Sequence, residues 1–141
     1  MKIWKIFYSY FIPIPVKFVL LVILGCLLVL YYPRYVIQRE AIQKHRTICQ
    51  NLVEMGQIKE EECLDPSTYF AEYIPVYFPI GSTTKETVWR GMMGITIYID
   101  KVTGRCENNE LDSWLQYRIM FGSTVSFAFC GNQLVNISYQ N

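Results

Sequence analysis

The sixteen residues Phe18-Val-Leu-Leu-Val-Ile-Leu-Gly-Cys-Leu-Leu-Val-Leu-Tyr-Tyr-Pro33 contain no charged side chain, and they decide how the chain is organised. Counted from Ile12 to Tyr32, the apolar span has 21 residues, and Lys17 is its one charge. At about 1.5 Å per residue, a helix of this length matches a hydrocarbon core of about 30 Å. A lysine near the helix end can extend its amine to the headgroups. The sequence therefore predicts a transmembrane helix over residues 12–33, which would contact membrane lipid.

Three other interpretations of this stretch are less consistent with its residues. A buried core helix would need a larger domain than 141 residues to enclose it. A cleaved signal peptide would need a small-x-small cleavage site, whereas the chain from Leu27 to Tyr35 is bulky throughout. Ile23-Leu-Gly-Cys26 is similar to a lipoprotein processing site, but the residues that follow Cys26 continue the same apolar span. An uncleaved membrane anchor is therefore the favoured interpretation.

The composition of the whole chain excludes several classes of protein. Hydrophobic residues make up 52% and charged residues 18%, against roughly 25% charged in an average soluble domain. Aromatic residues reach 16%, which excludes a disordered chain. The net charge of +1 argues against a nucleic-acid partner. The single histidine, His45, argues against histidine-based catalysis and against a histidine-rich metal site.

The orientation of the anchor rests on cysteine rather than on charge, because basic residues flank both ends of the span. Four of the five cysteines follow the anchor, an even number that suits two disulfides: Cys49, Cys63, Cys106 and Cys130. Disulfides persist on the periplasmic or extracellular side of a membrane. We therefore expect a single-pass protein of the inner (plasma) membrane, with residues 1–11 as a cytoplasmic tail. The expected pairs are Cys49–Cys63 and Cys106–Cys130.

The first element after the anchor reads as a stalk helix over residues 34–56. Apolar side chains recur there at three- and four-residue spacing, the pattern of one helix face: Ile37, Ala41, His45, Ile48, Leu52 and Met55. Gly56 is placed to end this helix. His45 lies on the apolar stripe, so we expect a packed or partly exposed histidine rather than a ligand.

Residues 57–141 are predicted to form an extracytoplasmic α+β domain. Gln57–Cys63 suggests a short helix, Ser67–Tyr73 one or two further turns, and Thr83-Thr-Lys-Glu86 matches a capping box that opens a helix ending near Gly94. Alternating residues then predict four antiparallel strands with a turn at Thr103–Gly104: Ile95–Ile99, Leu115–Phe121, Val125–Phe129 and Val135–Tyr139. The predicted fold is a single transmembrane helix followed by a small helix-helix plus antiparallel β-meander domain.

The pairing of the last two strands follows from which residues are apolar. A two-residue turn at Gly131–Asn132 would place Phe129 opposite Leu134, and Phe127 would then share a face with polar residues. A three-residue loop places Phe129 opposite Val135, Phe127 opposite Ile137 and Val125 opposite Tyr139. A slip of one residue moves a whole apolar set to the wrong face, so the second register is predicted, with Asn132 in a left-handed conformation.

One segment of the domain is a candidate contact surface. Tyr73-Ile-Pro-Val-Tyr-Phe-Pro-Ile80 contains two prolines among large apolar residues, and it is interpreted as an extended segment on an edge or surface. Its aromatic residues could instead be core residues. If they face solvent, Tyr73, Tyr77 and Phe78, together with Trp89 on the next helix, are the residue types that dominate protein interfaces. These four residues are the candidates for partner binding.

Two stretches suggest a family. Gly81-Ser-Thr-Thr-Lys-Glu-Thr-Val88, followed by Gly94, resembles the Gly-x-Thr…Val…Leu-Gly helix of the SmpA/OmlA (BamE-like) envelope domains. Val125-Ser-Phe-Ala-Phe129 with Gly131-Asn-Gln-Leu-Val-Asn-Ile137 is similar to the final hairpin of that family. The resemblance covers about residues 46–139. It implies a fold of two helices with an antiparallel sheet, located in the cell envelope, that works by binding other proteins.

The residue pattern favours binding over chemistry. The sequence offers no nucleophile–base pair and no phosphate loop, and the acidic loop of Glu107, Glu110 and Asp112 lacks the spacing of a calcium loop. We therefore expect no enzymatic activity, no cofactor and no small-molecule substrate. The leading hypothesis is a membrane-anchored interaction module that serves as an accessory or assembly subunit of an envelope complex. The alternative is a periplasmic inhibitor or immunity protein; a ligand-binding domain or enzyme is less favoured.

Overall fold

The computed structural model describes residues 14–108, 110–120 and 122–140, and its architecture is the predicted α+β fold. A long helix is followed by a 3₁₀ turn at Glu60–Glu62, two short helices and four strands. The elements are α1 (Ile14–Glu54), α2 (Phe70–Tyr77), α3 (Lys85–Gly91), β1 (Ile97–Arg105), β2 (Leu111–Met120), β3 (Ser123–Cys130) and β4 (Gln133–Gln140). Contacts divide the chain into two compact units, residues 1–36 and residues 37–141.

The first unit contains the apolar part of α1. This helix is long and apolar enough to cross a membrane: its most apolar 18-residue window has a mean hydropathy of 2.3, and none of that window is buried against protein. Phe18, Leu21 and Leu30 are each about two-thirds exposed, which is the exposure that a helix crossing a membrane would present to lipid. The predicted tail of residues 1–11, and the first two residues of the predicted span, lie outside the described residues.

The second half of α1 belongs to the domain rather than to a separate stalk. Ile48 and Leu52 are fully buried and Cys49 nearly so, as the apolar stripe requires. The helix ends in a Schellman motif, in which Gln57 N–H donates to the Leu52 carbonyl and Gly56 N–H donates to the Val53 carbonyl. Gly56 adopts the left-handed φ of 69° that this motif needs. The predicted boundary at residue 57 therefore cuts through the core, and the second unit begins at residue 37.

Helix α2 corrects the predicted extended segment at Tyr73–Ile80. Phe70, Tyr73, Ile74 and Tyr77 are all buried, and their spacing is that of one helix face. Pro75 lies inside the helix, where it removes only one backbone hydrogen bond. The burial of four large side chains outweighs that loss, because each contributes about 1.5–3 kcal/mol.

Helix α3 begins one residue later than predicted. The N-cap is Thr84, whose hydroxyl accepts a hydrogen bond from Thr87 N–H at 3.2 Å; the predicted pair of Thr83 and Glu86 does not form the cap. Thr83 instead donates its hydroxyl to the Pro79 carbonyl at 2.8 Å, which fixes the turn before the helix. The helix ends at Gly91, before the predicted end at Gly94.

The four strands form one antiparallel sheet in the order β1-β2-β3-β4, the predicted meander. Strand β1 is longer than expected and runs through Thr103–Gly104, the predicted turn. A β-bulge lies at this point, between the pairs Val102–Ser113 and Gly104–Asp112, and it shifts the register of β1 against β2. Phe121, predicted at the end of β2, lies outside the described residues.

The last hairpin combines both weighed registers. Val125 pairs with Tyr139 and Phe127 pairs with Ile137, as predicted, but Phe129 pairs with Leu134 rather than with Val135. A bulge after Ala128 shifts the register by one residue. It lets Leu134 become fully buried while Val135 stays 46% exposed. Gly131, with a φ of 60°, supplies the left-handed residue of the tight turn.

The core lies between the sheet and the helices of the second unit. Its largest fully buried side chains come from all layers: Tyr73, Phe70, Phe78, Phe127, Phe129, Ile48, Leu52, Ile74, Met92, Leu115, Ile119 and Leu134. The tightest approach within the core is at Gly91, where an added Cβ would lie 2.9 Å from the Phe78 ring and 3.0 Å from Leu52. The Asn51 amide also donates to the carbonyls of Gly91 and Met93, at 2.9 and 2.8 Å. Only glycine permits α3 to lie this close to α1.

We expect Gly91→Ala to destabilise the domain by about 1–3 kcal/mol, because the methyl group would force a core ring and a core leucine to move. Chemical denaturation of the full-length protein in detergent measures this loss. Gly104→Ala is the matched control: an added Cβ there meets nothing within 4 Å, and we expect a change within about 0.5 kcal/mol. Equal stability of the two variants would contradict the proposed close packing.

Candidate functional site

The structure brings together the two predicted pairs of cysteines. Cys49 on α1 and Cys63 have Cα atoms 5.9 Å apart, and Cys106 and Cys130 have Cα atoms 5.8 Å apart. Both separations lie in the range of protein disulfides. The first pair fastens the segment after α1 to that helix, and the second joins the end of β3 to the loop between β1 and β2. The fifth cysteine, Cys26, is exposed on the apolar part of α1.

Three of the four predicted partner-binding residues are core residues, which corrects their assignment to a contact surface. Tyr73 and Tyr77 are 2% and 4% exposed, and Phe78 is fully buried. Phe78 packs edge-on against Phe127 of β3, with ring centroids 5.5 Å apart. The helical conformation of α2 turns the rings of Tyr73 and Tyr77 inward, and Phe78 directly follows the helix. Trp89 on α3 is the exception, because 47% of its surface is exposed.

His45 is buried in an aromatic cluster, at 1% exposure. Its ring stacks on Tyr73 with centroids 3.9 Å apart and planes inclined by 10°. Its Nε2 lies 2.9 Å from the Tyr77 hydroxyl, and that oxygen also accepts the backbone N–H of Leu64 at 2.9 Å. Tyr77 can therefore donate its own hydrogen to Nε2, an arrangement that suits a neutral ring with hydrogen on Nδ1.

Burial lowers the pKa of His45 below its usual value, and this effect exceeds the opposing influence of the Pro66 carbonyl and the Asp65 carboxylate. The tyrosines around it shift upward for the same reason: burial raises the pKa of Tyr73, Tyr77 and Tyr139. A charged group in this cluster would lose its hydration without gaining a full ion pair. His45 is therefore a structural residue that holds Tyr77 and, through it, the segment around Leu64.

The most exposed apolar surface of the domain is on strand β1. All nine residues of β1 are exposed, although a strand on a covered sheet would bury every second residue. Large apolar residues on this strand and beside it are exposed as well, and we call this set the β1 surface: Trp89, Met93, Ile97, Tyr98, Ile99, Val102 and Trp114. Patches of this kind on small proteins mark interaction sites.

The pairing of β1 with β2 divides this surface between the two faces of the sheet. Ile97 pairs with the buried Tyr117, so it lies on the face that carries the helices. Ile99 pairs with Gln116, so it lies on the opposite face, beside Trp114. Apolar side chains of β1 and beside it are thus exposed on both faces of the sheet.

Helix α3 is tied to β1 by an ion pair. Lys85 Nζ lies 3.3 Å from the Asp100 carboxylate. Trp89 follows Lys85 by four residues and therefore projects from the same side of α3. The face of α3 that carries the exposed indole is thus the face that makes the ion pair with β1.

The two edges of the sheet differ in how their backbone is covered. The start of β4 is paired with the segment before α3: Gly81 N–H donates to the Leu134 carbonyl, Leu134 N–H to the Thr83 carbonyl, and Lys85 N–H to the Asn132 carbonyl, each at 2.9 Å. Strand β1 pairs only with β2 among the described residues. Its outer row of backbone N–H and C=O groups is therefore open to an additional strand.

The sequence alone indicates Trp89 as a contact residue but does not indicate the exposed residues of β1. Trp89 is a predicted contact residue because its helix follows the aromatic segment Tyr73–Ile80, which it could extend. Alternation at Ile97 and Ile99 predicts a strand but does not reveal whether a neighbour covers its faces. The exposure of β1 depends on where the helix layer ends, a tertiary property. Among the described residues, no group of three or more histidine, cysteine or acidic side chains could hold a metal ion.

No family model, no curated protein and no solved structure matches this chain. Arguments about its function therefore rest on the geometry of the described residues.

We expect the stability of the domain to fall as the pH is lowered below about 6.5, the pKa of histidine in an unfolded chain. Because the pKa of His45 is lower in the fold, its contribution is complete above that pH and is lost as the pH falls toward the folded value. Urea unfolding between pH 7.5 and 5.5 measures this slope. His45 is the single histidine of the chain, so His45→Gln should flatten the slope. An unchanged slope in that variant would exclude His45 as its source.

Proposed function

We propose that this protein is a membrane-anchored interaction module whose domain lies outside the cytoplasm, as an accessory or assembly subunit of a membrane complex. The observation that carries this proposal is the open edge of β1, which combines unpaired backbone groups with exposed apolar side chains on both faces. The proposed partner is a protein that contributes an extended segment to this edge. Main-chain hydrogen bonds would give affinity in such a complex, and alternate side chains would give specificity.

The bulges of β1 limit the length of the added strand. They lie between Ile97 and Ile99 and between Val102 and Gly104, so the regular stretch in between has only four residues. Natural edge strands are protected by bulges and lysines against indiscriminate pairing, and Lys101 stands in this stretch. Trp89 and Trp114, one on each face, would then select partners by the side chains that reach past the edge.

The proposed compartment of the domain is supported by its cysteines. Two pairs at disulfide distance would be reduced in the cytoplasm and would persist on the other side of the membrane. A helix long and apolar enough to span the bilayer precedes them. We therefore propose a single-pass protein of the inner or plasma membrane, with a cytoplasmic N-terminus and a periplasmic or extracellular domain.

We expect a phosphatase fused after Asn141 to be active, because that enzyme requires an oxidising compartment. Peptide mapping of the native protein without reducing agent should also recover Cys49 linked to Cys63 and Cys106 linked to Cys130. Free thiols at all four positions, together with an active cytoplasmic reporter at the same fusion point, would reverse the proposed topology.

We expect a photocrosslinking residue at Tyr98 to capture one discrete partner in intact cells. Val102→Lys on β1 should weaken this capture about tenfold or more, because a charge would replace an apolar contact at the centre of the interface. The melting temperature of the variant should stay unchanged, since Val102 is exposed.

Val135→Lys is the matched control for this experiment. Val135 is also an exposed valine on an edge strand, but it lies on β4. Capture from Tyr98 should be the same in this variant as in the native protein. Equal loss in both variants, or no discrete product from Tyr98, would place the interaction elsewhere. The identity of the captured protein, a complex subunit or a toxin or enzyme, decides between an assembly role and an inhibitory one.

A further inference from the structure

A second surface lies in a cleft between α1 and the segment that follows it. The cleft has a volume of about 650 Å³ and is open to solvent. Its floor is apolar and is formed by Val53, Leu64, Pro66 and the Cys49–Cys63 pair. The pairing of those two cysteines holds the walls together, so the cleft is part of the fold rather than a gap between mobile parts.

The rim of this cleft carries an excess of negative charge. Glu54, Glu60 and Asp65 line the cleft, against the single cation Arg46. Cys63 is paired with Cys49 and Asp65 acts on His45, so the segment runs back along α1 with Asp65 toward Arg46 and Glu60 toward Glu54. Glu54 accepts a hydrogen bond from the Gln50 amide at 3.2 Å, which leaves its charge uncompensated. Glu60 and Arg46 form no ion pair among the described residues.

The charges are separated along α1. Arg46 and Glu54 are eight residues apart, which is about 12 Å along a helix axis. The end near Glu54 and Glu60 is therefore anionic, and the apolar floor begins beside it at Val53. At the other end, the Asp65 carboxylate accepts hydrogen bonds from the backbone N–H and the hydroxyl of Ser67, at 2.8 and 2.5 Å.

We propose that this cleft binds a lysine side chain presented by a partner peptide. The ammonium group lies between Glu54 and Glu60, and the methylene stem covers Val53 and the cysteine pair. A lysine suits this surface because its apolar stem and its terminal charge match an apolar floor that ends in carboxylates. Arg46 disfavours a second cation at the far end and can donate to a backbone carbonyl of the peptide. This site stands apart from the β1 surface, and its test does not depend on that surface.

The test uses the full-length protein in neutral maltoside micelles and an acetylated, amidated trilysine peptide. We expect this peptide to shift the backbone amide resonances of residues 50–54 and 60–66 in ¹⁵N–¹H spectra. The same peptide with norleucine in place of lysine keeps the stems but lacks the charge, and it should leave those resonances unchanged. Equal shifts with norleucine would overturn the proposal, because the floor alone would then account for binding.

The carboxylates are tested by a double variant, Glu54→Gln with Glu60→Gln. It should weaken trilysine binding about fivefold, as expected for the loss of two solvent-accessible charge contacts. Glu61→Gln is the matched control: Glu61 lies in the same 3₁₀ turn, but its side chain is 78% exposed and contacts Lys59 at 3.7 Å. Affinity should be retained in this control.

Two further outcomes would also overturn the proposal. Equal weakening by Glu61→Gln would show that trilysine responds to general charge rather than to the cleft. Shifts with free spermidine, but none with trilysine, would assign the cleft to a small polyamine instead of a peptide side chain. Neither outcome bears on the crosslinks expected at Tyr98, so failure of this site and failure of the β1 surface are distinguishable.

Discussion

The close contact of α1 with α3 at Gly91 is the constraint on which the rest of the domain depends. Leu52 and Phe78 leave no room for a Cβ at this position, and the Asn51 amide secures the end of α3 by two hydrogen bonds. Phe78 in turn packs edge-on against Phe127 of the sheet. Phe78 therefore links α1, α3 and the sheet through one continuous set of contacts. The position of α3 that results brings Lys85 within 3.3 Å of the Asp100 carboxylate of β1.

Features with a strong period were predictable from the sequence, and features that depend on a single neighbour were not. The apolar span, the buried stripe of α1 and the four-strand meander each rest on many residues that agree. Helix α2 was missed because Pro75 and Pro79 outweighed, in the sequence, the i, i+3, i+4, i+7 spacing that begins at Phe70. The bulge that seats Leu134 was also missed, because local alternation cannot express a change of register within one strand.

The buried polar groups explain why the segment after α1 keeps its place despite having little regular structure. Tyr77 accepts from Leu64 N–H and lies within hydrogen-bond distance of His45, so one hydroxyl joins α1, α2 and this segment. The cysteine pair at Cys49 and Cys63 adds a second attachment on the same helix. The Tyr73 hydroxyl has no partner among the described residues. An unpaired buried hydroxyl costs about 1–3 kcal/mol. Burial of Tyr73 is nevertheless favourable, because the stacking of its ring on His45 and the burial of its apolar area contribute more than this cost.

The contrast between the two edges of the sheet connects this architecture to function. The fold covers the start of β4 with the segment from Gly81 to Lys85 and leaves β1 without such a cover among the described residues. Complete burial of a valine or isoleucine contributes about 1.5–3 kcal/mol, and Ile97, Ile99 and Val102 are still 39–56% exposed. These side chains stay partly exposed in the free domain. A partner strand would bury part of their remaining apolar surface and would also form hydrogen bonds with the open backbone groups of β1. The same edge would promote aggregation if it were long and regular; its two bulges and Lys101 restrict pairing to a short segment, which favours a specific partner over indiscriminate association.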